Sequence, residues 1–115
     1  MKDILLLMAM LFSVGAFSQN ECNPNDVFSE ACPISFGEEV KGTINPTNDN
    51  DYYKFEVTTP GVIEVNVSNV PSNISMLVRL YGPSQEHLIS DDGIAGQSVF
   101  IKELVCEPGT YYVLL

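Results

Sequence analysis

The chain has no tryptophan, one histidine, three cysteines, and five basic residues against fifteen acidic ones. Each shortage removes a class of function. A formal charge of -10 leaves no cationic surface for a phosphate backbone or an anionic lipid headgroup, so neither nucleic acid nor a membrane surface is an expected partner. His87 stands alone in no motif, so a serine or cysteine nucleophile would lack its base. There is no glycine-rich phosphate loop and no basic, aromatic-interleaved stripe. Carboxylates are abundant by composition alone, so a pair of them carries no information about glycoside chemistry. The chain therefore reads as a non-enzyme.

Long apolar runs are scarce too. The one that exists, Ile4 to Phe12, follows Lys2 and ends in Ala16-Phe17-Ser18, small residues at the two positions a signal peptidase reads. This pattern predicts a signal peptide over residues 1–18 with cleavage before Gln19, because the run is short for a membrane span and no second one follows. The mature chain is expected to be exported, to the extracellular space or the cell surface, and to be monomeric. No small-residue lipobox precedes Cys22, which argues against a lipid anchor.

Cys22, Cys32 and Cys106 would then meet an oxidising compartment. One disulfide is expected, with one thiol left over, and the sequence leaves Cys22–Cys32 and Cys32–Cys106 both open. A zinc site from these cysteines and His87 is disfavoured, since no pair has the close spacing of a zinc knuckle.

Helical periodicity is the next absence. Residues 19–33 read as an acidic, irregular segment in which Phe28-Ser29-Glu30-Ala31 could make one helical turn and Pro24 blocks pairing. From residue 34 to 115 the signals are short strands: Ile34–Phe36, Glu39–Asn45, Tyr52–Thr58, Val62–Ser68, Met76–Tyr81, His87–Ile89, Val99–Leu104 and Thr110–Leu115. Tyr53, Phe55 and Val57 alternate with polar neighbours, as do Ile63, Val65 and Val67, and the two runs are predicted to pair as a hairpin across Thr59-Pro60-Gly61. Met76–Tyr81, mostly apolar, is predicted to be covered on both sides. Asp91-Asp92-Gly93 is read as a turn. The expected fold is all-β, an antiparallel β-sandwich of jelly-roll type. Its last strand runs to Leu115 without a following turn, so the domain is expected to be truncated at a C-terminal strand.

The most distinctive stretch is Asn48-Asp49-Asn50-Asp51, acids and amides that lead straight into Tyr52-Tyr53-Lys54-Phe55-Glu56-Val57. Oxygen donors of this kind suit a hard cation at the rim of a sheet.

Three segments in order resemble the bacterial pre-peptidase C-terminal domain, a small β-sandwich found beside secreted peptidases and other exported enzymes. They are Asn23-Pro24-Asn25-Asp26 with Ala31 and Ile34 downstream; Gly42-Thr43-Ile44 followed by Asp51-Tyr52-Tyr53-Lys54-Phe55; and Pro108-Gly109-Thr110-Tyr111-Tyr112-Val113. Leu77 to Tyr81 with Gly82-Pro83 fits the family's apolar strand and turn. The family usually continues through a further Gly-x-Tyr-x-Leu strand.

The resemblance extends to the collagen-binding domains of clostridial collagenases, and it implies a calcium site from Glu21, Asn25, Asp26 and Asp51, with Asp49 or Asn48 nearby. Asn23 and Asn48 stand where the family has acids, which lowers the ligand charge. It also implies ligand contacts through exposed tyrosines, here Tyr52, Tyr81, Tyr111 and Tyr112. Because neighbours on a strand point to opposite faces, Tyr53 is expected to pack and Tyr52 to be the freer ring.

The function implied is a non-catalytic accessory or binding module of a secreted bacterial protein, calcium its cofactor. Its partners would be other domains of the parent protein or an extracellular polymer, collagen-like or polysaccharide. The alternative is the N-terminal part of a secreted enzyme whose catalytic domain lies beyond residue 115.

Overall fold

The computed structural model describes residues 2–10, 17–20, 25–44 and 50–115. They build a sandwich of two five-stranded sheets. In chain order the elements are β1 (Lys2–Met10), β2 (Phe17–Asn20), a short 3-10 turn η1 (Phe28–Glu30), β3 (Cys32–Pro33), β4 (Glu38–Ile44), β5 (Tyr52–Val57), β6 (Gly61–Ser68), β7 (Leu77–Tyr81), β8 (His87–Asp92), β9 (Val99–Val105) and β10 (Gly109–Leu114). Sheet A runs β2-β4-β1-β6-β9 and sheet B runs β3-β5-β10-β7-β8. No helix among the described residues is long and apolar enough to cross a membrane.

Alternation builds the core. Tyr53, Phe55 and Val57 of β5 face Ile63, Val65 and Val67 of β6 across the sandwich, and all six are buried. Val78 and Leu80, Val99 and Ile101, and Tyr111 and Val113 bury the inner faces of β7, β9 and β10. Each such aliphatic side chain contributes about 1.5–3 kcal/mol when fully buried, which is how a chain of this size reaches a stable core.

Several expectations are corrected. β5 and β6 do not form a hairpin: residues 58–60 carry the chain from sheet B to sheet A, so β5 pairs with β3 and β10 while β6 pairs with β1 and β9. Alternation is the same whether the next strand pairs in plane or packs opposite, so the pattern could not distinguish them. β7 is wet on one side, with Leu77 and Arg79 exposed. Asp91 and Asp92 close β8 and do not make a turn; exposed acids on this edge strand discourage pairing with another chain. The first strand of the 34–115 region is displaced to Cys32–Pro33, where Pro33 is tolerated because β3 is an edge. The sheets are antiparallel apart from β2 on β4 and β3 on β5, two short edge strands that pair parallel.

The part of the apolar run assigned to a signal peptide that the structure describes, up to Met10, lies within sheet A as β1. β1 pairs antiparallel with β4 on one side and β6 on the other, and β2 spans the expected cleavage point before Gln19.

Cys32 is disulfide-bonded and Cys106 is free and exposed, which excludes the Cys32–Cys106 pairing. Cys22 lies outside the described residues.

Candidate functional site

The acidic segment meets the sheet at the start of β5. Asn25 accepts a backbone hydrogen bond from Tyr52 N–H through its own carbonyl at 2.8 Å, and its side-chain amide donates to Tyr52 O at 3.5 Å. One residue earlier, Asp51 N–H donates to Leu115 O at 3.2 Å and Leu115 N–H donates to Asp51 O at 2.9 Å. Three chain segments therefore converge on residues 51 and 52. Asn25 and Asp51 are the buried polar side chains of the described residues, each 3% exposed. Burying an amide and a carboxylate at one junction is costly unless both are engaged, so this corner is built for polar contact.

Of the five residues expected to hold a cation, the structure brings Asn25 and Asp51 to this junction and leaves Asp26 exposed beside it. Glu21 and Asp49 lie outside the described residues. Among the described residues no group of three or more His, Cys, Asp or Glu side chains gathers closely enough to hold a metal ion.

Tyr52, Tyr81 and Tyr112 fall on the outer face of sheet B. The register sets Tyr112 directly between Lys54 and Tyr81, and sets Leu114 between Tyr52 and Arg79. Tyr52, Tyr81 and Tyr112 are all half-buried. His87, across from Tyr81 in the register, continues the row at a ring distance of 6.0 Å. The face thus draws one aromatic side chain from each of β5, β10, β7 and β8. Burial raises the pKa of Tyr52, with a further rise from nearby Tyr81 and a smaller opposing pull from Arg79.

Tyr111 leaves this face. It is 2% exposed, stacks on Phe55 in the core, and its hydroxyl donates to Glu107 O at 2.7 Å. A residue pointing inward between two sheets has no access to a polymer, so Tyr111 is a core residue with its polar tip satisfied. Its pKa is raised, first by burial and then by Glu107, Glu86 and Cys106.

Sequence reasoning missed Phe28. Its ring, carried on η1, lies 4.6 Å from Tyr52, 5.1 Å from Tyr81 and 5.2 Å from Tyr112. It is the fifth ring of the face and touches all three of the face's tyrosines. The only signal was an isolated aromatic residue in an otherwise polar segment.

Comparison with known proteins follows the same lines. The model of the bacterial pre-peptidase C-terminal domain matches residues 49–115, from the acidic loop through β10. The chain is 30% identical over 96 residues to collagenase ColA of Clostridium perfringens (strain 13 / Type A). That match covers 82% of this chain and 9% of the collagenase, so the chain spans only a small part of that relative's length.

Proposed function

The chain belongs to the bacterial pre-peptidase C-terminal domain family, one of non-catalytic accessory domains, and on that premise we propose that it is a binding module of an exported bacterial protein. Its ligand is an extended polymer held on the outer face of sheet B, collagen-like polypeptide before polysaccharide. Domains of this family are typically extracellular, and the bonded Cys32 supports an oxidising destination.

One observation carries the reading. Tyr52, Tyr112 and Tyr81, from three neighbouring strands, stand on a single face with Lys54 and Arg79 among them. Tyrosines supply rigid, flat, amphipathic area at low entropic cost. That suits the pyrrolidine rings of an extended proline-rich chain, with the phenol hydroxyls reaching its carbonyls. Lys54 and Arg79 are two of the five basic residues in a chain of charge -10, so this face is less repulsive to an acidic polymer than the rest of the surface. Similarity to a protein named a collagenase supports the choice of polymer. The same similarity supports the second reading, in which the module belongs to a secreted hydrolase.

Calcium stabilisation is part of the proposal. Asn25 and Asp51 bring an amide and a carboxylate oxygen, donors a hard cation prefers, to a buried junction, and Asp26, Glu21 and Asp49 would complete the set. A bound cation would tie the N-terminal segment to β5, beneath the tyrosine face.

The test is retention on an immobilised triple-helical collagen peptide, compared with insoluble glycan beads. The expected result is retention on collagen, weakened about tenfold by Tyr112→Ala as for an interface anchor. Phe100→Ala, which removes an exposed ring from sheet A, should leave it intact. Equal loss in both variants would mean stickiness, and no retention by the parent chain would sink the reading.

A further inference from the structure

The last strands of the two sheets, β8 of sheet B and β9 of sheet A, lie against each other, and a cavity of about 290 Å³ opens beside them. Pro83, Leu88, Leu104, Val105 and Tyr111 give it an apolar lining. Gly109, at a φ of 148°, lets the turn into β10 approach Pro83 so closely that a Cβ there would lie 3.0 Å from the proline ring. The turns after β7 and before β10 therefore close on each other at this end. A cavity of this volume sits at the small end of ligand sites and suits one long side chain better than a whole cofactor.

Glu103 is the unexpected member of the lining. On β9, Val99, Ile101 and Val105 are buried, and Glu103 shares their side of the strand and stands opposite buried Ile63. A carboxylate thus occupies a core-facing position, where it is half-buried. Glu86 and Glu107 add two more carboxylates, and no basic residue lines the cavity. Among the described residues the salt bridge is Lys102 to Glu64, on the outer face of sheet A, so no cation answers these three glutamates. A cleft lined by one sign of charge between apolar walls concentrates the opposite charge.

We propose that this cavity is a second binding site, which takes one lysine or arginine side chain of an extended polypeptide. The methylene stem lies along Leu88, Leu104 and Val105, and the cationic head meets Glu103, with Glu86 and Glu107 beside it. Lysine and arginine pack in this way, stem on apolar surface and charge among polar groups. The turn holds one of the carboxylates ready, because Ser84 N–H donates to Glu86 Oε1 at 3.0 Å. A polypeptide fits better than a free amine because β9 ends sheet A among the described residues, so a main chain can run along that open edge while one side chain enters. The cavity opens between the sheets and not on the outer face of sheet B, so the inference stands or falls apart from what the tyrosine face binds.

To test it, a short capped peptide of glycine and serine with one central lysine is titrated into the isotope-labelled whole chain, and amide shifts are recorded. The amides of Leu88, Glu103, Val105 and Tyr111 should move saturably, and iodoacetamide should label Cys106, a free thiol of the lining, more slowly as the cavity fills. Norleucine in place of the lysine keeps the stem and drops the charge; it should weaken binding about tenfold or more, as should Glu103→Gln, on the scale of one hydrogen bond to a charged group. Asp92→Asn removes the same single charge from β8 outside the cavity, and affinity should stay within about twofold because exposed, distant charges are screened. Equal weakening by Asp92→Asn would overturn the proposal, since any cation would then be drawn to so acidic a chain. Unchanged affinity in Glu103→Gln would overturn it too and leave the inward charge as edge protection alone. Absent shifts, equal binding of the norleucine peptide, or n-butylamine binding as well as the lysine peptide would each overturn it, the last by making the occupant a free amine.

Discussion

The ring of Phe28 stands edge-on to the ring of Tyr112, their centroids 5.2 Å apart and their planes at 89°. This contact pins the N-terminal segment to the central strand of sheet B, and the contacts of Phe28 with Tyr52 and Tyr81 spread the attachment over three strands.

Phe28→Ala should lower unfolding stability by about 1–3 kcal/mol, since aromatic pairs are worth roughly 0.5–1.5 kcal/mol each beyond area and the ring is only half-buried. Urea denaturation measures it. A loss below about 0.5 kcal/mol would mean that η1 rests on the sheet without holding to it.

Alkaline pH should unfold the domain through its buried phenols. The pKa values of Tyr111 and Tyr52 are raised by burial above the ordinary tyrosine range. Above pH ~10 the unfolded chain loses these protons first, so the native state binds more protons and stability falls as pH climbs through the native pKa values. Below pH ~10 this contribution is fully present. Tyr111→Phe should flatten part of the decline while costing about 1 kcal/mol at neutral pH for the lost bond to Glu107 O. Melting curves between pH 8 and pH 11, a range centred on the phenol titration, would show both effects.

Asp51→Asn tests the calcium proposal without emptying the junction. At a hundredfold excess over Kd the ion should add about 2.7 kcal/mol, or roughly 10 °C in Tm for a domain of this size. The variant should lose most of that shift. An equal rise in both proteins would place the ion elsewhere, and no rise in the parent would remove it altogether.

The two described cysteines should respond oppositely. Cys32 is buried and bonded, so Cys32→Ser should cost about 2–5 kcal/mol, and dithiothreitol should reproduce the loss in the parent chain. Cys106 is exposed and free, so Cys106→Ser should leave Tm unchanged. Calorimetry with and without reductant distinguishes them.

Much of this was legible in the residues. Alternation alone marked β5, β6 and β9 to within a residue or so, and it assigned Tyr53, Phe55 and Val57 to the core, where they lie. Alternation reports one face of one strand and is silent about the neighbour. It therefore could not tell that residues 58–60 cross between sheets, nor that Arg79 points to water from an apolar run. Phe28 was invisible because a single ring in a polar segment has no period. Tyr111 and Tyr112 had to separate, one in and one out; which of them packed was decided by the pairing of Tyr111 with Phe55, a contact between neighbouring strands that lie far apart in sequence. At the junction of Asn25 and Asp51 the residue types were readable, but the convergence of residues 25, 51 and 115 depends on the closed topology.

That convergence has a mechanical side. Asn25 and Leu115 are both bonded to the same two-residue step, Asp51 and Tyr52, so Asn25 of the acidic segment and Leu115, the residue after β10, lie side by side. Tension applied between residues 25 and 115 would load the few bonds at that step one after another, peeling the chain away instead of shearing whole ladders at once. A domain tethered this way yields early under pull, and the corner that gives first is the one a cation would lock.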